Sequence, residues 1–243
     1  MALSIDGHVI TPAGGFGGSA TGSVTLTTSL AQDLIVVLIA AEVFSSPHQT
    51  VSSVTATGLT FTKRSSVYQD NSSGKYGTTW NTLEVWSAAA TGALSSVSIT
   101  VTMSAAIDCG MIQAFGVNYD GTLLPLWSAN ASLPNTVISS ATSVPSLGSN
   151  NTNGAALLFG FVGSAIDTSQ TAGTGYTLID SGFNPNGGIT MASGAEYQAF
   201  ASAVSGQTVA FGSSWQTWLM IVDAIEAPRA SDTLADGCQI IMM

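Results

Sequence analysis

Charge is scarce in this chain, and positive charge scarcest. Only 7% of the residues are Asp, Glu, Lys or Arg, and 4 Lys or Arg stand against 14 Asp or Glu, for a formal net charge of −10. So few cations neutralise few phosphates, which argues against direct nucleic-acid binding. The same balance argues against an anionic membrane surface, and no membrane association is expected. Helix surfaces draw on Lys, Arg and Glu, so their scarcity also argues against helices. Disorder is excluded from the other side, because 45% of the chain is hydrophobic and can bury a core. Cysteine is nearly absent too. Cys109 and Cys238 make no disulfide framework, and with only His8 and His48 beside them there is no zinc cluster. Cys109 opens an apolar stretch and reads as a buried thiol. The N-terminus, MALSIDGHVI, lacks a basic segment and a long apolar one. No signal peptide is expected, and synthesis and assembly are expected in the cytoplasm. The longest apolar run, Leu34 to Ala41, is far short of the roughly 20 residues of a membrane helix.

The chain is rich in Gly, Ser, Thr, Ala and Val, which suit strands and turns. From Leu83 to Tyr119 the sequence reads as three strands joined by two polar turns. Val97, Ile99, Val101 and Met103 alternate with Ser98, Thr100, Thr102 and Ser104, the period of a half-buried antiparallel strand. Leu34 to Ala41 is a short continuous run of a strand buried on both faces. Gly58 marks a bulge or turn within 51–68, 69–79 (QDNSSGKYGTT) an exposed loop tip, and 120–136 a linker. The order then repeats. Ala195–Glu226 is a weaker copy of Leu83–Tyr119, and GTGYTLIDSG (173–182) aligns with ATGLTFTKRS (56–65), pairing Gly175 with Gly58. In the same alignment Glu196 matches Glu84. A period of roughly 110 residues is far longer than a solenoid repeat. The expected fold is therefore all-β, with two tandem antiparallel sandwich units of jelly-roll type, residues 1–125 and 126–228, and a C-terminal tail at 229–243. One large sandwich built from both halves is the alternative.

No catalytic motif is present. Neither histidine sits in a nucleophile-elbow or H-E-x-x-H pattern. Glu84 and Glu196 are the only carboxylates paired by any logic, and they read as solvent-facing strand positions inherited by duplication rather than as a glycosidase pair. Asp70, Asn71 and Asp120 match no calcium motif and read as turn residues. No enzyme activity and no cofactor are expected. The 5 tryptophans can form a sugar-stacking platform, but core and inter-domain contacts are the simpler reading. The candidate partner contacts are the basic group Lys63, Arg64 and Lys75, Trp80, and the tail residues Cys238, Ile240, Ile241, Met242 and Met243, whose apolar end calls for something to pack on.

Residues 58–67 (GLTFTKRSSV), 83–101 (LEVWSAAATGALSSVSITV), 114–117 (AFGV), 172–180 (AGTGYTLID) and 196–211 (EYQAFASAVSGQTVAF) resemble a family of phage and prophage virion proteins. The likeness spans roughly residues 20–226, and the tail falls outside it. That family is described mostly as structural or tail-associated, with sandwich or jelly-roll domains. The resemblance implies a virion component, foremost a capsid decoration or cement protein, with a tail-fibre or baseplate adhesin for host glycans as the alternative. Its partners would be the major capsid or tail protein and further copies of itself, with a trimer as one closed form.

Overall fold

The computed structural model describes residues 3–11, 15–44, 47–74, 77–186 and 189–228. Within them the chain is all β. The first half runs through β1 (Ser4–Ile10), β2 (Ser19–Leu26), β3 (Asp33–Val43), β4 (Val51–Ala56), β5 (Leu59–Thr60), β6 (Thr62–Gly74), β7 (Gly77–Ala90), β8 (Val97–Ile107) and β9 (Cys109–Asn118). The second contains β10 (Leu126–Trp127), β11 (Asn135–Ser139), β12 (Ser146–Asn150), β13 (Ala156–Ser164), β14 (Thr177–Asn186), β15 (Ile189–Phe200), β16 (Gln207–Ala210) and β17 (Trp218–Glu226).

In the first half a larger sheet has the order β1-β9-β3-β7-β6 and a smaller one the order β2-β8-β4-β5. The first strand pairs with the last, the second with the next to last and the third with the seventh, which is the wrapping of a jelly roll. The second half repeats this wrapping. Its larger sheet runs β17-β13-β15-β14, with β10 and β11 both on the outer side of β17, and β12 pairs with β16 as β2 pairs with β8. The inner pair β4–β5 has no counterpart there, since residues 165–176 carry no strand. The duplication extends to the backbone: Gly58 and Gly175, matched in the sequence, both turn at positive φ, +77° and +85°.

β3, β9, β13 and β17 are buried at every position, and the stacking of the sheets gives the reason. On one face of β3, Ile35, Val37 and Ile39 meet Val24, Leu26, Ile99 and Val101 of the smaller sheet. On its other face, Leu34, Val36 and Leu38 join one core with Leu157, Phe159, Phe161 and Leu219 of the second half. Leu158, Met220 and Val222 turn away to a third core with Val209 and Phe211. The sheets thus stack small, large, large, small, with apolar side chains filling each of the intervening layers. Strands covered on both sides have no polar face to show, hence their continuous apolar runs. β8, with water on one side, keeps the alternation: Ile99, Val101 and Met103 are buried and Ser98 is exposed.

The two large sheets approach closely. A Cβ on Gly163 of β13 would lie 2.5 Å from Leu83 Cδ2 and 2.8 Å from Met191 Cε, so a side chain there would have to displace the ends of both. The structure departs from the sequence reading at 69–79. Residues 69–74 and 77–79 extend the β6–β7 hairpin, with Ser72 opposite Thr79 and Gly74 opposite Gly77. Polar composition suggested a loop, but an edge hairpin needs no apolar residues to complete its ladder. The 120–136 linker likewise carries β10 and the start of β11.

Candidate functional site

The densest polar constellation centres on Glu84 of β7. Its side chain is fully buried, contrary to the solvent-facing position expected from the sequence. It faces the smaller sheet, and four groups converge on it. Val51 N (3.1 Å) and Tyr68 Oη (3.0 Å) donate to Oε1. Trp86 Nε1 (2.8 Å) donates to Oε2, and Lys63 Nζ lies 3.1 Å from the same oxygen. Lys63 also lies 5.7 Å from the centre of the Trp86 ring. Partial burial pulls the Lys63 ammonium down, but the Glu84 carboxylate and Tyr68 hydroxyl outweigh it and hold the ammonium above its ordinary value. His48 stacks on Tyr68 with ring centroids 4.4 Å apart and holds Asp70 Oδ1 at 2.6 Å. The outcome is a carboxylate saturated by its own chain, which anchors the start of β4.

Glu196 of β15 is the second copy, also fully buried. It keeps the anchoring bond, accepting from Gly173 N at 2.7 Å, in the segment that replaces β4. Gln198 stands where the first half has Trp86, and no ion pair to Glu196 is formed among the described residues. Burial therefore pushes its carboxyl up to about 7, and Tyr176, half-buried beside it, is pushed up to about 12 by burial and by Glu196. Glu84 points to one outer core and Glu196 to the other. Two catalytic carboxylates must face each other across a cleft, and these have two sheets between them.

The basic group is divided. A bulge in the β6–β7 ladder between Lys63 and Ser65 makes Arg64 the extra residue and aims it at the second half. Its guanidinium makes a two-pronged pair with Asp223 of β17, Nε–Oδ2 2.9 Å and Nη2–Oδ1 3.2 Å, and donates to Ser128 O at 3.1 Å. It also lies 5.0 Å from the Trp127 ring, whose Nε1 donates to Ser87 Oγ at 2.9 Å. Burial pushes the Asp223 carboxyl up and Arg64 opposes it; the paired geometry is that of an ion pair. Arg64 is thus a tie between the two halves. Lys63 stays partly exposed above Glu84. Trp80 is half-buried against the outer core of the first half. Lys75, Cys238, Ile240, Ile241, Met242 and Met243 lie outside the described residues.

The other sequence candidates are accounted for by local structure. Asp120 Oδ1 accepts from Thr122 N, Thr122 Oγ1 and Leu123 N, a side-chain turn. Cys109 is buried, donating to Asn184 O and accepting from Met191 N. All five tryptophans are buried or half-buried. His8, on the edge strand β1, meets Asp180 of β14 at 2.7 Å. On either side of that contact the seam between β1 and β14 opens into clefts of about 430 Å³, lined by Ile10, Met111 and Phe183, and about 270 Å³, lined by Ile5, Leu178 and Tyr197. Sequence reasoning missed the Arg64–Asp223 tie. A lone arginine in a chain with so few cations and a lone aspartate in an apolar strand were its only signals. Comparison of the chain with family models, with curated proteins and with solved structures finds no match.

Proposed function

We propose that this protein is a non-catalytic structural component that acts through protein–protein contacts. Following the resemblance in its sequence, we place it in phage particles as a capsid decoration or cement protein. One observation carries the structural part of this reading: four sheets stack with mainly apolar layers between them, and the densest polar constellation is saturated from within. Such an architecture stiffens a surface rather than enclosing a substrate. The virion assignment rests on the resemblance alone, as do a capsid or tail protein as partner and self-association, for instance as a trimer. A glycan-binding adhesin needs exposed aromatic faces; Trp80 and Trp86 are half-buried against the outer core, which favours decoration. The test is addition of the purified protein to undecorated capsids of a phage that encodes it. Decoration predicts saturable binding to intact particles and a higher temperature of particle disruption. Failure to bind particles at any stage of assembly would overturn it.

A further inference from the structure

Away from the Glu84 network, one row of side chains includes buried oxygen atoms, those of Glu42 and Gln69, that meet no donor. Gln69 of β6, Asn81 of β7, Glu42 of β3 and Cys109 of β9 are successive cross-strand partners. Direct partners project from the same face, roughly 5 Å apart. Ala40, Leu83 and Met111 form the neighbouring row on that face and belong to the core shared by the two halves. The row is therefore the rim of the shared core, where apolar packing gives way to polar groups.

Glu42 is fully buried, and three acceptors in the row, Glu42 Oε1, Glu42 Oε2 and Gln69 Oε1, are buried with no hydrogen-bond partner. Asn81 stands between them with its carboxamide, whose nitrogen donates to Thr79 Oγ1 at 3.2 Å. Asp108 adds negative charge: its N–H donates to Glu42 O at 3.1 Å, and its carboxylate accepts from Phe44 N at 2.8 Å. Among the described residues no Lys, Arg or His pairs with Glu42. Burial, with Asp108 beside it, pushes the Glu42 carboxyl up to about 8. The sulfur of Cys109 is turned to the second half, where it bonds Asn184 and Met191. What remains for a ligand is oxygen.

We propose that Glu42, Gln69 and Asn81 form a binding site for a hard cation of the calcium class at the rim of the shared core. A proton on Glu42 removes the charge but brings one hydrogen to three acceptors. A cation satisfies all of them. Carboxylate and carboxamide oxygens are ligands of hard ions, and a row fixed by strand spacing suits the adaptable shell of calcium better than the strict octahedron of magnesium. Lying where the two large sheets meet, the ion would tie stability of the shared core to its concentration.

The experiment is thermal unfolding and titration calorimetry of the full chain, first stripped with chelator and then given calcium chloride at pH 8.5, with magnesium chloride in parallel. Calcium at about 100 times its Kd raises Tm by roughly 5 °C, by mass action on the folded state. Magnesium does less. Glu42→Gln abolishes the response; the change is nearly isosteric and removes a buried charge, so this variant matches or exceeds the parent in chelator. Gln69→Met, which spares the carboxylate, weakens calcium binding at least several-fold. An unchanged calcium response in Glu42→Gln overturns the proposal. So does a parent protein that gives neither heat nor a Tm shift with calcium and is stabilised only by acid, for then Glu42 is held by a proton alone.

Discussion

Glu84 and Glu196 hold the same place in the two halves and live under opposite electrostatics. Lys63, Tyr68, Trp86 and Val51 all donate to or pair with Glu84, whereas the carboxyl of Glu196 receives Gly173 N. Removing the charge should therefore have unequal effects. Glu84→Gln leaves Lys63 without its carboxylate and costs about 2 kcal/mol in chemical denaturation. Glu196→Gln costs less than about 1 kcal/mol near pH 7, because a poorly compensated buried charge is lost. The pH dependence follows from the same residues. Burial raises Glu196 to about 7 and Asp33 to about 6, so between the unfolded values and these the folded state holds more protons than the unfolded chain. Their contribution is complete below about pH 4 and is lost as pH rises through about 6 and 7. Tm measured in chelator should fall from pH 5 to pH 8, with Glu196 accounting for on the order of 2 kcal/mol. Glu196→Gln should reduce that slope without abolishing it, since Asp33 and Glu42, raised to about 6 and about 8, titrate in the same window; an unchanged slope would show that the Glu196 carboxyl does not titrate there.

At the scale of the element, the turns and strands follow local rules that the sequence displays. Gly58 sits at φ +77° with open space where a methyl group would project, so Gly58→Ala meets only backbone strain and should lower stability by about 1–2 kcal/mol, read from denaturant midpoints. Gly163→Ala meets Leu83 and Met191 instead and should cost about 1–3 kcal/mol by overpacking. β8 was legible because one of its faces is wet and the alternation survives. β3, β13 and the duplicated order were legible because double burial leaves an apolar run. The distal β6–β7 hairpin was not, since its ladder is backbone and its residues are polar. Nor were the burial of Glu84 and the row from Gln69 to Cys109. Alternation places residues on a face, but only the pairing of distant strands shows what that face meets. Arg64 stayed hidden because its partner lies 159 residues away, and a bulge, not periodicity, decides its direction.

At the scale of the whole molecule, the duplication has produced a joint core. Phe159 is fully buried in it, edge-on to Phe115 at 5.9 Å and near Trp127 at 6.0 Å. Phe159→Ala should cost about 3–5 kcal/mol and destabilise both halves together. The two sandwiches are recognisable by topology, but neither large sheet has a polar inner face on which to stand alone. The two halves should therefore behave as one framework. Hydrogen exchange of the intact chain, followed by mass spectrometry through a denaturant series, reads β3 and β9 separately from β13 and β17. Opening of all four strands with the same free energy and the same denaturant dependence is the predicted result. Exchange of one half at low denaturant while the other stays protected would contradict it.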